Sequence, residues 1–331
     1  KAGAKFSTSP SLKFSAPPLI SEGIWETKNA WNQEWEIKFG EWIHKEINAE
    51  FFKKYEIKTD CADVAYALRW IFARIHALPA ANHLGGTGRL FTNEMSRPEW
   101  SKLPTSTEWH SDKKFLSALH YAMANTYTHT LMSDSYPIKL NLEAVSPGSF
   151  YLTTHGESGH TQVVFKGQGY NRLHFMMLSS TIPSKVRSLN EHFLFGFAFP
   201  EKNKVAFLRM LWPLKQNGTW KLEAASKHPF YSEEEFDPTL KGDGSKAFTE
   251  VLMSKLISGF NWDMLLNQSF EDLFNLITQR IDVVTEGYAA CKDSCPDGSQ
   301  GYDDWSTPSR DARILESIRF VGNLGRLTTN F

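Results

Sequence analysis

The spacing of apolar residues divides the first half of the chain into helical and loop-forming stretches. After Cys61 the apolar positions return every three or four residues, at Val64, Leu68, Ile71, Phe72, Ile75 and Leu78. This pattern predicts an amphipathic helix that starts near Cys61 and ends before Pro79. Residues 25–54 and 113–132 also predict helices, whereas residues 1–23 predict an extended arm and residues 80–112 a loop-rich stretch.

The second half of the chain begins with strand patterns and ends with helical ones. Short strands are predicted between about 148 and 199, and residues 205–222 predict a hairpin that turns at Asn217-Gly218. Two helices are predicted at about 246–258 and 264–287. The predicted elements combine helices and strands, and we expect an α+β fold.

Three segments follow from this arrangement. We expect an N-terminal arm and helical extension over 1–54 and a core over 55–200. The remaining residues, 201–331, would form a hairpin and a helix-rich C-terminal region on the core.

Composition narrows the classes of function. The chain has 331 residues, and its net charge of −1 gives no electrostatic footprint for nucleic acid or a membrane surface. No apolar run reaches the length of a transmembrane segment. We expect no cofactor and no metal.

The polar start at Lys1 favours a periplasmic or secreted protein that has lost a signal peptide or lipoprotein anchor, although trimming of the sequence explains it equally well. The oligomeric state stays open.

Cys61 is the first candidate for chemistry because of its place at a helix start. Asp60 is a good N-cap residue, and Asp63 three positions later resembles a capping box. A thiol in the first turn would face free N–H groups and the positive end of the helix dipole, which lower a cysteine pKa. A reactive thiol and a buried structural cysteine are the two interpretations, and the helix alone does not choose between them.

The other two cysteines, Cys291 and Cys295, lie close together. In an oxidising compartment they could close a small disulfide loop and leave Cys61 as the odd thiol. In a reducing compartment all three would remain thiols. The sequence lacks the second cysteine pair or well-spaced histidine pair that a zinc site would need beside them.

Two histidines occupy matching positions on a predicted hairpin. His160 follows Gly159 on one strand, His174 lies on the next, and both are seven positions from Gly167. A three-residue loop would place the two histidines opposite each other, where their rings could hydrogen-bond. A loop one residue longer would place them on opposite faces.

These motifs together resemble the NlpC-type branch of the papain-like cysteine peptidases. The family pattern is Asp-Cys-Ser-Gly, then Pro-Gly-Asp before a strand, then Gly-His-Val-Gly-Ile-Tyr, then His. This chain has Asp60-Cys61-Ala62-Asp63, Pro147-Gly148-Ser149, Gly159-His160-Thr161-Gln162-Val163-Val164 and His174. It differs in Ala62-Asp63 and in Ser149, and the likeness covers about residues 55–180. The 99 positions from Cys61 to His160 exceed the usual spacing of the family, so the resemblance implies an insertion at about 80–140.

The resemblance implies a papain-like core, in which a cysteine-bearing helix packs on an antiparallel sheet. It also implies a thioester mechanism with Cys61 as nucleophile, His160 as general base and acid, and His174 as the residue that orients His160. The implied substrates are amide bonds in peptidoglycan-type peptides. The backbone N–H of Cys61 would supply part of the oxyanion hole, with Tyr55 a weak candidate for the second donor.

Three other functions remain open at the level of sequence. A papain-like scaffold without catalysis could bind cell-wall peptides or a partner protein. A papain-like acyltransferase could pass the acyl group to an amine or an alcohol. A metal hydrolase would use His155, Glu157, His160 and His174, but His155 and His160 are five positions apart, which places them on opposite faces of a strand.

Overall fold

The computed structural model describes residues 19–20, 22–156, 158–166, 176–192, 197–242 and 262–291, together with some residues of 248–256 and 311–322. Helices and antiparallel strands occur mostly in separate runs along this part of the chain, so the predicted α+β class is confirmed.

Six antiparallel strands form the central sheet. Their spatial order is β3 (Ser135–Pro137), β8 (Val205–Met210), β4 (Phe150–His155), β5 (Ser158–Lys166), β6 (Met176–Ser179) and β7 (Asn190–His192). Because β8 lies between β3 and β4, the sheet contains residues from both sides of position 200. The predicted segments 55–200 and 201–331 therefore share one sheet.

Three helices supply the apolar layer on one face of the sheet. They are α1 (Gln33–Glu46), α3 (Asp63–Ile75) and α4 (Lys113–Ala124). The apolar side of α3 packs with sheet residues such as Phe150 and Val163 in one hydrophobic cluster. Since α4 belongs to the same cluster, part of the predicted insertion at 80–140 is integral to the core.

The opposite face of the sheet has its own cluster. Tyr151, Val164 and Phe207 point to this side and pack with Phe230 and Phe248 from the later part of the chain. Strand alternation explains the division, since neighbouring residues such as Val163 and Val164 point to opposite faces. The sheet therefore lies between a layer of helices and a layer built by residues after 200.

Short elements connect these layers. They are α2 (Phe51–Lys54), the hairpin of β1 (Ala81–His83) and β2 (Leu90–Thr92), and α5 (Thr128–Ser133). The predicted helix over 25–54 starts only at Gln33, because the side chain of Asn32 accepts a hydrogen bond from Trp35 N at 2.9 Å and caps α1 there.

The turn at Asn217-Gly218 is confirmed. It joins β9 (Pro213–Gln216) to β10 (Thr219–Leu222), and both turn residues have positive φ, 51° and 77°. That conformation is typical of the two-residue hairpin turn that Asn-Gly favours. The predicted hairpin was placed too early, since residues 205–210 are β8 of the main sheet.

The C-terminal region contains the long helix α6 (Trp262–Cys291). In the stretches described by the structure, no helix combines the length and hydropathy needed to cross a bilayer. Cys295 lies outside the described residues, and so does the predicted disulfide between it and Cys291.

Candidate functional site

Cys61 lies in a turn that two aspartates close just before α3. Asp60 Oδ1 accepts hydrogen bonds from the backbone N–H groups of Ala62, at 3.0 Å, and Asp63, at 3.3 Å. Asp63 Oδ2 accepts one from Asp60 N at 2.8 Å. These reciprocal bonds are those of the predicted capping box. The regular helix begins at Asp63, so Cys61 precedes its first turn.

The thiol lies beside the edge of β5. Cys61 Sγ donates a hydrogen bond to the carbonyl oxygen of Gly159 at 3.6 Å. Thr154 pairs with Gly159 but donates its own N–H to Lys204 O, away from β5. Thr154 and Gly159 are thus a non-hydrogen-bonded pair of the antiparallel ladder, in which the N–H and C=O groups of each residue point away from the other strand. The Gly159 carbonyl therefore points away from β4. The thiol therefore approaches β5 from the side on which β6 pairs further along.

Residues that follow β6 hold this turn against the sheet. Ser180 Oγ donates to Thr59 O at 2.9 Å, and Thr59 forms a bridge with Lys185 through N···O distances of 3.0 and 3.3 Å. Ser184 Oγ donates to Asp63 Oδ2 at 3.3 Å. The position of Cys61 is thus fixed by tertiary contacts as well as by the start of α3.

His160 is the residue directly after the carbonyl that the thiol contacts. Because a carbonyl oxygen lies about 2.8 Å from the next Cα in a trans peptide, Cys61 Sγ is within about 6.5 Å of His160 Cα. His160 is partly buried and lies opposite Thr153. Because side chains alternate along a strand, the side chain of His160 lies on the same face of the sheet as that of Gln162. The helical layer that contains α3 covers the other face. The structure therefore brings thiol and His160 to one end of β5, the thiol at its edge and the histidine on the face away from α3.

His174 lies outside the described residues, but the pairing of the strand after it is known. Met176 lies opposite Lys166 and Leu178 opposite Val163, with an irregularity between the two pairs. The predicted pairing of His160 with His174 needs a register that differs by at least seven residues. That register prediction is wrong, because β6 starts later along the chain than a three-residue loop would allow.

The surroundings of the thiol oppose its ionisation. Burial raises the pKa of Cys61 to about 12, and the negative charge of Asp60 and then that of Asp63 add to the effect. The expected lowering of the thiol pKa is therefore wrong, since burial and two carboxylates outweigh the helix start. Burial and the charge of Asp60 also raise the pKa of Asp63, to about 7.

Gln162 is a buried polar residue of this site that the sequence analysis did not single out. Its side chain is 6 % exposed and lies opposite Tyr151. Among the described residues its Oε1 atom has no hydrogen-bond partner. It shares a strand face with His160, two positions away, at a Cα separation of about 7 Å. Since an unpaired buried amide oxygen costs about 1–3 kcal/mol, this atom is suited to accept a hydrogen bond from an imidazole or a substrate.

The remaining sequence candidates have other surroundings. The Tyr55 ring packs against those of Phe51, Trp109 and His110, with centroid distances of 5.2, 4.8 and 5.2 Å. This packing accounts for Tyr55 without a part in the oxyanion hole. Glu157 and the side chain of His155, which a metal site would need, lie outside the described residues.

A histidine–aspartate pair at the end of β1 was not predicted. His83 Nδ1 lies 2.5 Å from Asp134 Oδ1, and Asp134 Oδ2 accepts hydrogen bonds from His83 N at 3.0 Å and from Tyr66 OH at 2.8 Å. Asp134 is buried and His83 partly exposed. The hydrogen bond with Asp134 raises the pKa of His83. The two residues are 51 positions apart, so no local pattern in the sequence could have paired them.

Comparison with known proteins found no significantly similar protein. No protein-family model matches the chain, and neither a curated protein sequence nor a solved structure is significantly similar to it. The likeness to NlpC-type peptidases therefore depends on the short motifs around Cys61 and His160.

Proposed function

We propose that the protein is a cysteine hydrolase that cleaves amide bonds in peptidoglycan-type peptides, with Cys61 as nucleophile and His160 as base. One observation carries the proposal: the Cys61 thiol contacts the carbonyl of Gly159, the peptide group that leads into His160. A turn before a helix and one end of a strand thus place a sulfur and an imidazole-bearing residue together. This arrangement supports a papain-like core.

The raised pKa of Cys61 determines how such an enzyme would work. With a pKa of about 12 the resting thiol is protonated at neutral pH, so no stable thiolate–imidazolium pair precedes the reaction. His160 would take the thiol proton as the sulfur attacks the amide carbonyl, and then give it to the leaving amine. Water, deprotonated by the same imidazole, would cleave the thioester and restore the thiol.

Gln162 is the residue that we propose to orient His160. The two side chains share a face of β5, and Gln162 Oε1 lacks a hydrogen-bond partner among the residues described. An amide oxygen that accepts one imidazole N–H leaves the other ring nitrogen as the base. In this role Gln162 replaces His174, whose predicted place opposite His160 does not agree with the register of β5 and β6.

Digestion of purified cell-wall peptides tests the proposal. Wild-type protein should release new amine and carboxyl ends, which mass spectrometry identifies, and Cys61→Ala or His160→Ala should lower the rate at least about 100-fold. Gln162→Leu should lower kcat with little change in KM, and it should shift the pH profile of kcat. Cys291→Ser is the matched control and should retain full activity.

A measurement that needs no substrate separates an activated from an inert thiol. Alkylation of Cys61 by iodoacetamide, followed from neutral to alkaline pH, should be faster in the wild type than in His160→Ala if the imidazole assists the sulfur. Identical pH profiles for the two proteins, rising only at alkaline pH, would contradict the proposed role of His160.

The second candidate is a binding protein without catalysis. The specific observation in its favour is the pKa of Cys61, which is raised by burial and by the charges of Asp60 and Asp63. Such surroundings are unusual for a nucleophilic cysteine. This candidate requires that Cys61→Ser leaves all measurable properties unchanged and that cell-wall peptides bind without being cleaved, as calorimetry would show.

A further inference from the structure

The long helix α6 exposes a continuous apolar stripe. Six apolar residues occur at alternating spacings of four and three, as in the a and d positions of a heptad repeat. They are Phe270, Phe274, Ile277, Ile281, Val284 and Tyr288. We call them the α6 seam. Of these, Phe274 is 66 % exposed, Ile281 58 % and Tyr288 68 %.

The α6 seam is distinct from the side of the helix that packs on the protein. Ser269, Leu276 and Gly287 are buried and lie on a neighbouring stripe of the same helix. On the other flank of the seam the residues are polar and exposed, as Asn275 and Asp282 show. An apolar stripe that repeats over almost three heptads between a packed side and a polar side is typical of a helix that pairs with another helix.

A second helical segment lies beside α6 and also exposes apolar side chains. Arg280 on α6 forms an ion pair with Asp311, with Nε and Oδ1 2.7 Å apart. The described residues between 311 and 322 are helical, and Leu315 and Ile318 there are 52 % and 47 % exposed. A large apolar side chain presents about 200 Å² when fully exposed, so the exposed fractions of Phe270, Phe274, Ile281 and Tyr288 amount to about 500 Å² per chain. Leu315 and Ile318 add about 200 Å².

We infer that the α6 seam binds a second copy of this chain, with the two α6 helices antiparallel. Two α6 seams would bury about 1,000 Å² in total, or about 1,400 Å² with Leu315 and Ile318 included, which reaches the size of a specific protein interface. The seam has no charged residue, and a two-fold axis near its middle pairs it with itself: Phe270 meets Tyr288, and Ile277 meets Ile281. Its aromatic ends and aliphatic middle thus complement each other in an isologous dimer.

Sedimentation and light scattering of the full chain across the micromolar range test this inference. The wild type should be a dimer, and Phe274→Lys or Ile281→Lys should raise the dimer dissociation constant at least about tenfold, because each inserts a charge into the apolar interface. Asn275→Lys and Asp282→Lys are the matched controls on the polar flank and should remain dimeric. Circular dichroism establishes that each variant is folded.

Two results would overturn the inference. One is a wild-type chain that stays monomeric at the highest concentration, as it would if the seam were covered by another part of the same chain or served a different protein. The other is a folded pair of Phe274→Lys and Ile281→Lys variants that dimerise as tightly as the controls. Neither result bears on the activity of Cys61, which the digestion experiment tests separately.

Discussion

At the scale of single residues, Cys61 shows how the cap of a helix affects the chemistry of its neighbour. Asp60 and Asp63 satisfy backbone N–H groups at the start of α3, which stabilises the turn. The same carboxylates place negative charge next to a thiol that is already removed from water. Capping and activation of the thiol therefore oppose each other at this position.

Removal of one charge without loss of the cap should lower the thiol pKa. In Asp60→Asn the amide oxygen still accepts the hydrogen bonds from Ala62 and Asp63, but the charge that raises the pKa of Cys61 is absent. We expect the pKa of Cys61 to fall by about one unit or more, as ultraviolet absorbance of the thiolate or the pH profile of alkylation would show.

Glu56→Gln is the control for this experiment. It removes one negative charge from an exposed residue of the same segment and should leave the pKa of Cys61 within the error of the titration. An Asp60→Asn protein that titrates like the wild type would show that the charge of Asp60 does not contribute to the raised pKa of the thiol.

At the scale of elements, the pair of His83 and Asp134 fastens β1 to the end of α5. Burial raises the pKa of Asp134, but its carboxylate accepts hydrogen bonds from His83 and from Tyr66 on α3. The bond to Asp134 holds the pKa of His83 above its ordinary value. A raised histidine pKa adds stability that is fully present below the unfolded pKa and is lost as the pH rises through the folded pKa.

Asp134→Asn should therefore lower the pKa of His83 and remove this part of the pH dependence of stability. The imidazole proton signals of His83, followed by NMR through a pH titration, report the shift directly. Tyr66→Phe is the comparison, because it removes the hydrogen bonds of the Tyr66 hydroxyl to Asp134 and Thr130 but keeps the Asp134 carboxylate. In this variant the His83 pKa should stay raised. An unchanged His83 pKa in Asp134→Asn would contradict this assignment.

At the scale of the whole molecule, a buried charge cluster connects the helical layer to the sheet. Glu36 on α1 accepts hydrogen bonds from Arg69 on α3 at 2.9 and 3.2 Å, from Arg209 on β8 at 3.2 Å and from Trp212 Nε1 at 2.8 Å. Burial by itself would raise the pKa of Glu36, but the two arginine charges lower it below its ordinary value. Three elements therefore depend on a single carboxylate.

Glu36→Gln should destabilise the protein by about 3 kcal/mol at neutral pH, because it leaves two buried arginines without their counter-charge. A lowered carboxyl pKa contributes stability that is present above the unfolded pKa and is lost as the pH falls through the folded pKa. The variant should therefore lose less stability on acidification than the wild type. Urea unfolding at several pH values measures both effects.

Glu34→Gln is the control on the same helix. Glu34 pairs with Lys38 at 2.6 Å, but both side chains are largely exposed, so this substitution should leave the free energy of unfolding nearly unchanged. Equal effects of the two substitutions would contradict the structural role of the buried cluster.

Local patterns predicted several parts of this fold correctly. The periodicity after Cys61 predicted α3, the Asn217-Gly218 pair predicted the turn between β9 and β10, and the aspartates predicted the capping box. Each of these depends on residues within a few positions of one another. The register of β6 against β5 was predicted wrongly, because it depends on the length of the connection between the strands.

The sequence alone determined the α+β class, the α3 helix and its cap, because backbone propensity and apolar periodicity act over one or two turns of chain. Only the tertiary structure decided that Cys61 lies at the edge of β5, that its pKa is raised, and that β8 lies between β3 and β4. These features depend on burial and on charges brought together from distant positions, and such interactions exist only once the layers have packed.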